Sequence, residues 1–297
     1  MRPHFKILAE VCWALLAVQI PVEARPTAES VPVPLRKLAA RAEKRSAWPQ
    51  LRRYAESQKA PEQRALAYFA LGYREYEAGE YLAAAKDLGQ SAARQFSLAD
   101  YATYYSAAAA LKANNPVQTA EAVRDFSSNF PSSPLRLQGL ELLAEALIDS
   151  QKPQEAIQIL TGEPSVRRHA TLSLLLAKAY EEAGNLSQAA RAFQEVYFAF
   201  AASPQAKEAG EALESLRSRL GADFPQPTEE IEAARVELLF NASLFKEALE
   251  GYEAFSRPGR PAPMRTSGSW AGRAACSVCG ATVRRSMRSL SALSALL

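Results

Sequence analysis

The sequence has little of the residue types on which most catalytic and metal sites depend. Its 297 residues include only two histidines and three cysteines. His169 is the one histidine after the first 24 residues. It stands beside Arg167 and Arg168 at a predicted helix start, where we expect it to be solvated and not catalytic. No Ser-His-Asp, paired-carboxylate or phosphate-loop pattern occurs, so the sequence predicts no catalytic residue, no cofactor and no metal site.

Two of the cysteines, Cys276 and Cys279, have the spacing of a zinc knuckle or a redox motif. No second cysteine pair exists, and His169 lies more than a hundred residues upstream. A single pair of this kind in a compositionally biased segment is usually incidental. We therefore assign it no function.

The sequence also lacks an apolar run long enough to cross a bilayer, which needs about 20 residues. Its best candidate, residues 11–18, follows the basic residues Arg2 and Lys6 and precedes a helix-breaking Pro21. This order is typical of a secretory signal peptide. We therefore expect residues 1–24 to be a signal peptide cleaved near Ala24, a periplasmic protein and no stable membrane span. The alternative is a buried N-terminal helix.

Charge of one sign is concentrated in a single segment. The net charge is +3, yet residues 257–297 hold seven arginines and no acid, which leaves residues 25–256 mildly acidic. The sequence therefore does not favour nucleic-acid binding by this body. Arg, Ala, Ser, Gly and Pro dominate 257–297, and this low-complexity tail is either an out-of-frame terminus or a genuine basic, disordered tail.

The clearest structural pattern between the predicted signal peptide and the tail lies in residues 68–91. Their sequence is YFALGYREYEAGEYLAAAKDLGQS. Tyr68, Leu71, Gly72 and Glu75 follow the i, i+3, i+4, i+7 spacing of one helix face, and only Glu75 interrupts its apolar character. A glycine-marked turn and a second helix follow. The small Gly72 predicts a close approach of the two helices.

This unit recurs at intervals of 36, 36 and 33 residues, with turn breakers between its halves and a weaker fifth copy near residue 248. The pattern resembles the tetratricopeptide repeat, which has a period near 34 residues. It predicts an all-α fold, an α-solenoid of antiparallel helix pairs in a right-handed superhelix. The predicted repeat-packing residues are Leu71, Gly72, Ala84, Ala108, Ala120, Ala144, Ala156, Ala177, Ala189 and Ala248. The predicted organisation is a signal peptide (1–24), a linker (25–34), the solenoid (35–256) and the tail (257–297).

Two sequence segments show a further resemblance, to a family that contains such repeats. FSLADYATYY (96–105) and VYFAFAASPQAKEAGEALESL (196–216) resemble the N-terminal superhelical region of bacterial soluble lytic murein transglycosylases. That family cleaves peptidoglycan glycan strands with a glutamate in a Glu-Ser dipeptide ahead of a Gly-Leu-Met-Gln segment. Here no Glu-Ser dipeptide is followed by such a segment, so we expect this chain to lack the catalytic domain of that family. The glutamates are expected on solvated helix surfaces, and we expect no enzyme activity.

Aromatic residues on the first helices of two units form the candidate ligand-contact face, since rings can stack on sugars or hold a peptide. These residues are Phe69, Tyr73, Tyr76, Tyr101, Tyr104 and Tyr105. The alternative, which we favour, is that the rings pack one unit against the next.

Three functions remain open at this point. The first is the non-catalytic superhelical portion of a periplasmic lytic transglycosylase, inactive alone, whose partner is peptidoglycan glycan strands. The second is an envelope tetratricopeptide-repeat scaffold that binds protein partners. The third, a cytoplasmic repeat adaptor, requires that the N-terminus be retained.

Overall fold

A computed structural model describes residues 31–93 and 96–255. Within these ranges the chain forms α-helices and short 3₁₀ turns, and no β-strand occurs among them, so the all-α prediction is confirmed there. The helices are α1 (Val33–Arg41), α2 (Trp48–Ser57), α3 (Pro61–Glu77), α4 (Tyr81–Ala92), α5 (Ala99–Lys112), α6 (Pro116–Val123), α7 (Phe126–Asn129), α8 (Arg136–Asp149), α9 (Pro153–Thr161), α10 (Ala170–Glu182), α11 (Leu186–Ala199), α12 (Pro204–Leu220), α13 (Glu229–Asn241) and α14 (Phe245–Phe255). The predicted signal peptide, the predicted tail, and Cys276 and Cys279 lie outside the described residues.

The first described helix begins two residues before the end of the predicted linker (25–34). Helix α1 begins at Val33, with Pro32 as its N-cap and Pro34 inside its first turn. Proline fits there because its missing N–H has no helical partner at that position. Leu35 on α1, with Leu51 and Leu71, belongs to one buried core cluster, so this helix is part of the packed structure.

In the part of the chain that the structure describes, five pairs of helices are joined by a turn with one left-handed residue. The pairs are α3 and α4, α5 and α6, α8 and α9, α10 and α11, and α13 and α14. Each turn holds one residue with a positive φ: Gly79 (80°), Asn114 (59°), Gln151 (57°), Gly184 (77°) and Ser243 (63°). In the first, second, third and fifth turns, the next residue donates its N–H to a carbonyl at the end of the first helix, at 2.8–2.9 Å. This is the Schellman arrangement, so the turn geometry recurs even where glycine does not.

The predicted repeat-packing residues are buried throughout. Leu71, Ala84, Ala144, Ala156, Ala177 and Ala189 are each 0% exposed, Ala248 is 1% exposed, Ala108 and Ala120 are 5% exposed, and Gly72 is buried. An added Cβ on Gly72 would lie 2.9 Å from the backbone nitrogen of Leu88. The predicted close approach of α3 and α4 at Gly72 is therefore confirmed.

In the second pair, the structural register differs from the predicted one by one residue. Counted from the positive-φ residue of each turn, Ala107 and Thr119 occupy the places of Gly72 and Ala84, not Ala108 and Ala120. Thr119 is fully buried, and its hydroxyl donates to the carbonyl of Ala107 at 3.1 Å. A search for small apolar residues misses this position because threonine carries a polar hydroxyl. Thr119 can be buried here because its hydroxyl is hydrogen-bonded.

The chain divides into two compact units. The first contains the described residues up to Pro164 together with Lys178–Ala183, and the second contains Ser165–Ala177 and the described residues from Gly184 onward. Leu88, Phe126 and Leu147 are central to the core of the first unit. A smaller cluster in the second unit is built on Val236 and Leu239. Among the described helices, none has both the length and the apolar character needed to cross a membrane.

Candidate binding sites

Five of the six predicted ligand-contact aromatics meet in one cluster. Phe69, Tyr73 and Tyr76 project from α3, and Tyr104 and Tyr105 from α5. Tyr105 lies at the centre, with its ring centroid 5.1 Å from that of Tyr73, 5.4 Å from that of Tyr76 and 5.3 Å from that of Tyr104, each edge to face. We call these five residues the tyrosine cluster.

The tyrosine cluster is largely enclosed. Phe69 is 8% exposed, and burial raises the pKa of Tyr104 to about 12, with smaller contributions from Tyr76 and Tyr105. The sixth predicted residue, Tyr101, is 7% exposed and lies in the core of the first unit. The rings thus fill the space between the first helices of two successive pairs. This arrangement favours packing of α3 against α5 over ligand contact.

The second unit contains a groove of about 900 Å³ between α11, α12, α13 and α14. We call it the C-terminal groove. Its walls include Tyr197, Phe198, Leu213, Phe224, Arg235 and Val236. This volume lies at the upper end of the range for ligand sites, which spans about 300–1,000 Å³.

One wall of the groove is the loop between α12 and α13. Phe224 in this loop is 3% exposed, and the guanidinium carbon of Arg217 lies 5.0 Å from its ring centroid. Gln194 on α11 donates from Nε2 to the carbonyl of Pro225 at 2.6 Å. Helices α11 and α12 therefore hold the loop in place, and the wall is preformed.

Arg235 is the most distinctive residue of the C-terminal groove. Its guanidinium carbon lies 3.9 Å from the ring centroid of Tyr197. The same ring contacts α12 at Gly210, where an added Cβ would lie 3.0 Å from the ring carbon Cε2. Nε of Arg235 is enclosed and makes no hydrogen bond. Among the side chains of residues 31–93 and 96–252, the guanidinium has no acidic partner within ion-pair distance.

The other charges of the groove are compensated or lie at its edge. Lys207 lies 4.0 Å from Glu211, and Arg217 lies 3.6 Å from Glu214, with both glutamate side chains more than 70% exposed. Sequence analysis had not identified this site, although the segment 196–216 supplies much of its lining. No local sequence pattern predicts the groove, because Arg235 comes from a different helix pair than the segment 196–216.

A buried group of charges joins α2, α3 and α4 in the first unit. Arg52 donates from Nη2 to Oε1 of Glu75 and from Nη1 to Oδ1 of Asp87, both at 2.9 Å. Asp87 Oδ2 is 2.6 Å from Nη2, an ion-pair contact and not a well-aligned hydrogen bond. The Glu75 and Asp87 side chains are each 2% exposed, while that of Arg52 is 36% exposed. We call these three residues the buried charge triad.

Two carboxylates share one guanidinium in this triad. Burial and the charge of Asp87 raise the pKa of Glu75, Arg52 lowers it, and the net result is a pKa of about 8. Glu75 therefore holds a proton at neutral pH. The expectation that all glutamates lie on solvated surfaces is wrong for this residue, because the interruption in the apolar stripe of α3 is buried against a cation.

His169 lies where the sequence placed it. It is exposed and immediately precedes α10, and its carbonyl accepts the N–H of Ser173 at 3.0 Å. In the part of the chain that the structure describes, no group of three or more His, Cys, Asp or Glu side chains is arranged to hold a metal ion.

Comparison with protein-family models, with curated proteins and with solved structures found no match for this chain.

Proposed function

We propose that this protein is a non-catalytic binding scaffold, an α-solenoid of tetratricopeptide-like helix pairs wound into a right-handed superhelix. The observation that carries the proposal is the repetition of one geometry. Five helix pairs share a turn with one left-handed residue and bury equivalent positions on either side of it. Repeated pairs of this kind bury a face against their neighbours and leave an extended surface for binding.

The C-terminal groove is the binding site in this proposal. It combines a preformed volume with aromatic side chains and a few polar groups, which is typical of ligand sites. The tyrosine cluster of the first unit is assigned to packing instead, since its rings contact one another edge to face.

The ligand class follows from the resemblance to lytic transglycosylases. Residues 196–216, which carry part of that resemblance, supply Tyr197, Phe198 and Leu213 to the groove. This supports the superhelical portion of a periplasmic transglycosylase, with peptidoglycan glycan strands as ligand. The alternative is an envelope scaffold for protein partners, and the stacked Arg235 favours it because arginine and aromatic anchors dominate protein interfaces.

The only buried acid with a strongly raised pKa among the described residues is assigned a structural role. A general acid must reach the oxygen that it protonates. The Glu75 side chain is 2% exposed and is bound to Arg52 between helices. A glycan strand has no access to it, so we propose that the chain does not cleave glycan strands.

Incubation of the purified full chain with murein sacculi tests this proposal. We expect no release of anhydromuropeptides, as measured by chromatography of the soluble fraction. Co-sedimentation with sacculi supports the glycan-binding version, and its absence supports the protein scaffold. Release of anhydromuropeptides by a clean preparation, abolished by Glu75→Gln, would overturn the non-catalytic assignment.

Export is tested separately by expressing the chain with its own N-terminus in a Gram-negative host. We expect periplasmic protein whose N-terminal sequence begins near Arg25, because residues 1–24 have the order of a signal peptide. Cytoplasmic protein that retains Met1 would favour the repeat-adaptor alternative.

A further inference from the structure

The charge of Arg235, which lines the C-terminal groove, has no counter-ion among the side chains of residues 31–93 and 96–252. Arg235 stacks on Tyr197, which satisfies the face of the guanidinium but none of its N–H donors. Its Nε is enclosed without a hydrogen bond, and no acidic side chain up to residue 252 that the structure describes lies within ion-pair distance. An arginine whose donors have no protein partner is suited to bind an anion from outside.

The position of this cation is fixed by the helices around it. The Tyr197 ring on α11 contacts α12 at Gly210, where a larger residue would meet the ring. Arg235 reaches the same ring from α13 at 3.9 Å. Three helices thus hold the stack, so the guanidinium loses little freedom when a ligand binds.

The charges along the groove decide which anion fits. Glu211, Glu214, Glu232 and Glu247 also line it. Glu211 and Glu214 lie near Lys207 and Arg217, and Glu232 has a partner of its own. A dianion such as a phosphate, or a run of acidic residues, would be repelled by these carboxylates. A single carboxylate flanked by apolar groups carries one negative charge and meets only about half of this repulsion.

We propose that the C-terminal groove binds a segment of a partner protein in which one acidic side chain, flanked by apolar residues, pairs with Arg235. The inference rests on the protein-partner alternative of the proposed scaffold function and specifies the partner segment. The volume of about 900 Å³ exceeds what one side chain fills, so flanking residues contact Phe198, Leu213 and Val236. The carboxylate supplies the specificity, because an uncharged analogue leaves the guanidinium unpaired.

Two pools of hexapeptides test the pairing. All peptides are acetylated, amidated and labelled with a neutral dye, with varied apolar residues around one central Asp in the first pool and one central Asn in the second. Fluorescence polarisation with the full chain measures both affinities. We expect the Asp pool to bind at least tenfold more tightly than the Asn pool.

Variants of the full chain assign the preference to one residue. Arg235→Gln is expected to abolish the difference between the pools while retaining the affinity for the Asn pool, which also shows that the groove is folded. Arg235→Lys is expected to keep part of the preference. Arg191→Gln, which changes an exposed arginine on α11 outside the groove, serves as the matched control and should match the wild type.

The outcomes separate this inference from the scaffold function. Equal binding of both pools, or a preference that survives Arg235→Gln, overturns the carboxylate pairing and leaves the scaffold in place. Binding of neither pool also overturns it, whereas the scaffold function is judged by the sacculus experiments. A stronger response to peptides with a phosphoserine in place of Asp would overturn the choice of carboxylate.

Discussion

Arg52 on α2 holds both oxygens of Asp87 on α4, with Nη1 2.9 Å from Oδ1 and Nη2 2.6 Å from Oδ2. The same guanidinium binds Glu75 on α3. The two acidic side chains are almost completely buried, so the free-energy cost of burying them is offset by this one cation. The triad therefore fixes the helix that precedes the first repeat onto the first helix pair.

Removal of that cation should destabilise the first unit. We expect Arg52→Gln to lower the free energy of unfolding by about 2–3 kcal/mol. Loss of one partner of a buried ion pair costs about 3–5 kcal/mol, and the partial exposure of Arg52 reduces this cost. Urea denaturation measures the change, and Arg53→Gln, at an exposed neighbouring position, is the control. Equal midpoints for the two variants would contradict the role of the triad.

The proton on Glu75 makes stability dependent on pH. Its pKa is about 8 in the folded state, against 4.5 for a free glutamate, with Asp87 and Arg52 as the charges that act on it. Between these two values the folded chain holds a proton that the unfolded chain has released. Its stabilising contribution is therefore complete below about pH 4.5 and is lost as the pH rises through 8. The slope is at most about 1.4 kcal/mol per pH unit.

Comparison with Glu75→Gln isolates this contribution, because glutamine cannot titrate. We expect the difference in urea midpoint between the wild type and this variant to shift against the wild type from pH 5 to pH 8. Parallel curves over that range would show that Glu75 holds no proton in the folded chain.

Two glycines on neighbouring helices make a matched pair of tests for the close approach. In Gly72→Ala, the added Cβ would lie 2.7 Å from Cγ and 2.9 Å from the backbone nitrogen of Leu88. We expect a loss of about 1–3 kcal/mol, since overpacking outweighs the better helix propensity of alanine. In Gly89→Ala, the nearest atom, Ser106 Oγ, is 3.5 Å away. This variant should be neutral or more stable by up to about 1 kcal/mol in thermal or urea unfolding.

Tyr105 tests whether the tyrosine cluster serves packing. Tyr105→Ala removes two ring contacts between α3 and α5 and one within α5, and it should cost about 3–4 kcal/mol, because each aromatic pair contributes about 0.5–1.5 kcal/mol beyond buried area. Tyr105→Phe keeps the ring and should cost much less. Urea unfolding measures both variants. A Tyr105→Ala variant of wild-type stability that lost binding to sacculi would support the ligand-contact interpretation instead.

Local sequence patterns determined the helix pairs and most of their buried positions. A period of 3.6 residues and a small residue at the crossing point are read from neighbours in the chain, and Ala84, Ala144, Ala156 and Ala189 follow from them directly. In the second helix pair, the local pattern predicts the equivalent buried positions one residue too late. Both Asn114 and Asn115 are suitable for the turn, and only the backbone geometry shows that Asn114 takes the left-handed conformation, which moves the register by one residue to Thr119.

Contacts between distant residues were decided by the tertiary structure alone. Arg52 is 23 residues from Glu75 and 35 from Asp87, and no periodic pattern predicts that three charges on three helices share one buried site. Arg235 and Tyr197 likewise come from separate helix pairs. The sequence by itself determined which segments are helical and which faces are buried, because these depend on spacing along one helix. The tertiary structure decided which charged side chains were paired, since burial and pKa depend on the residues that the other helices bring beside them.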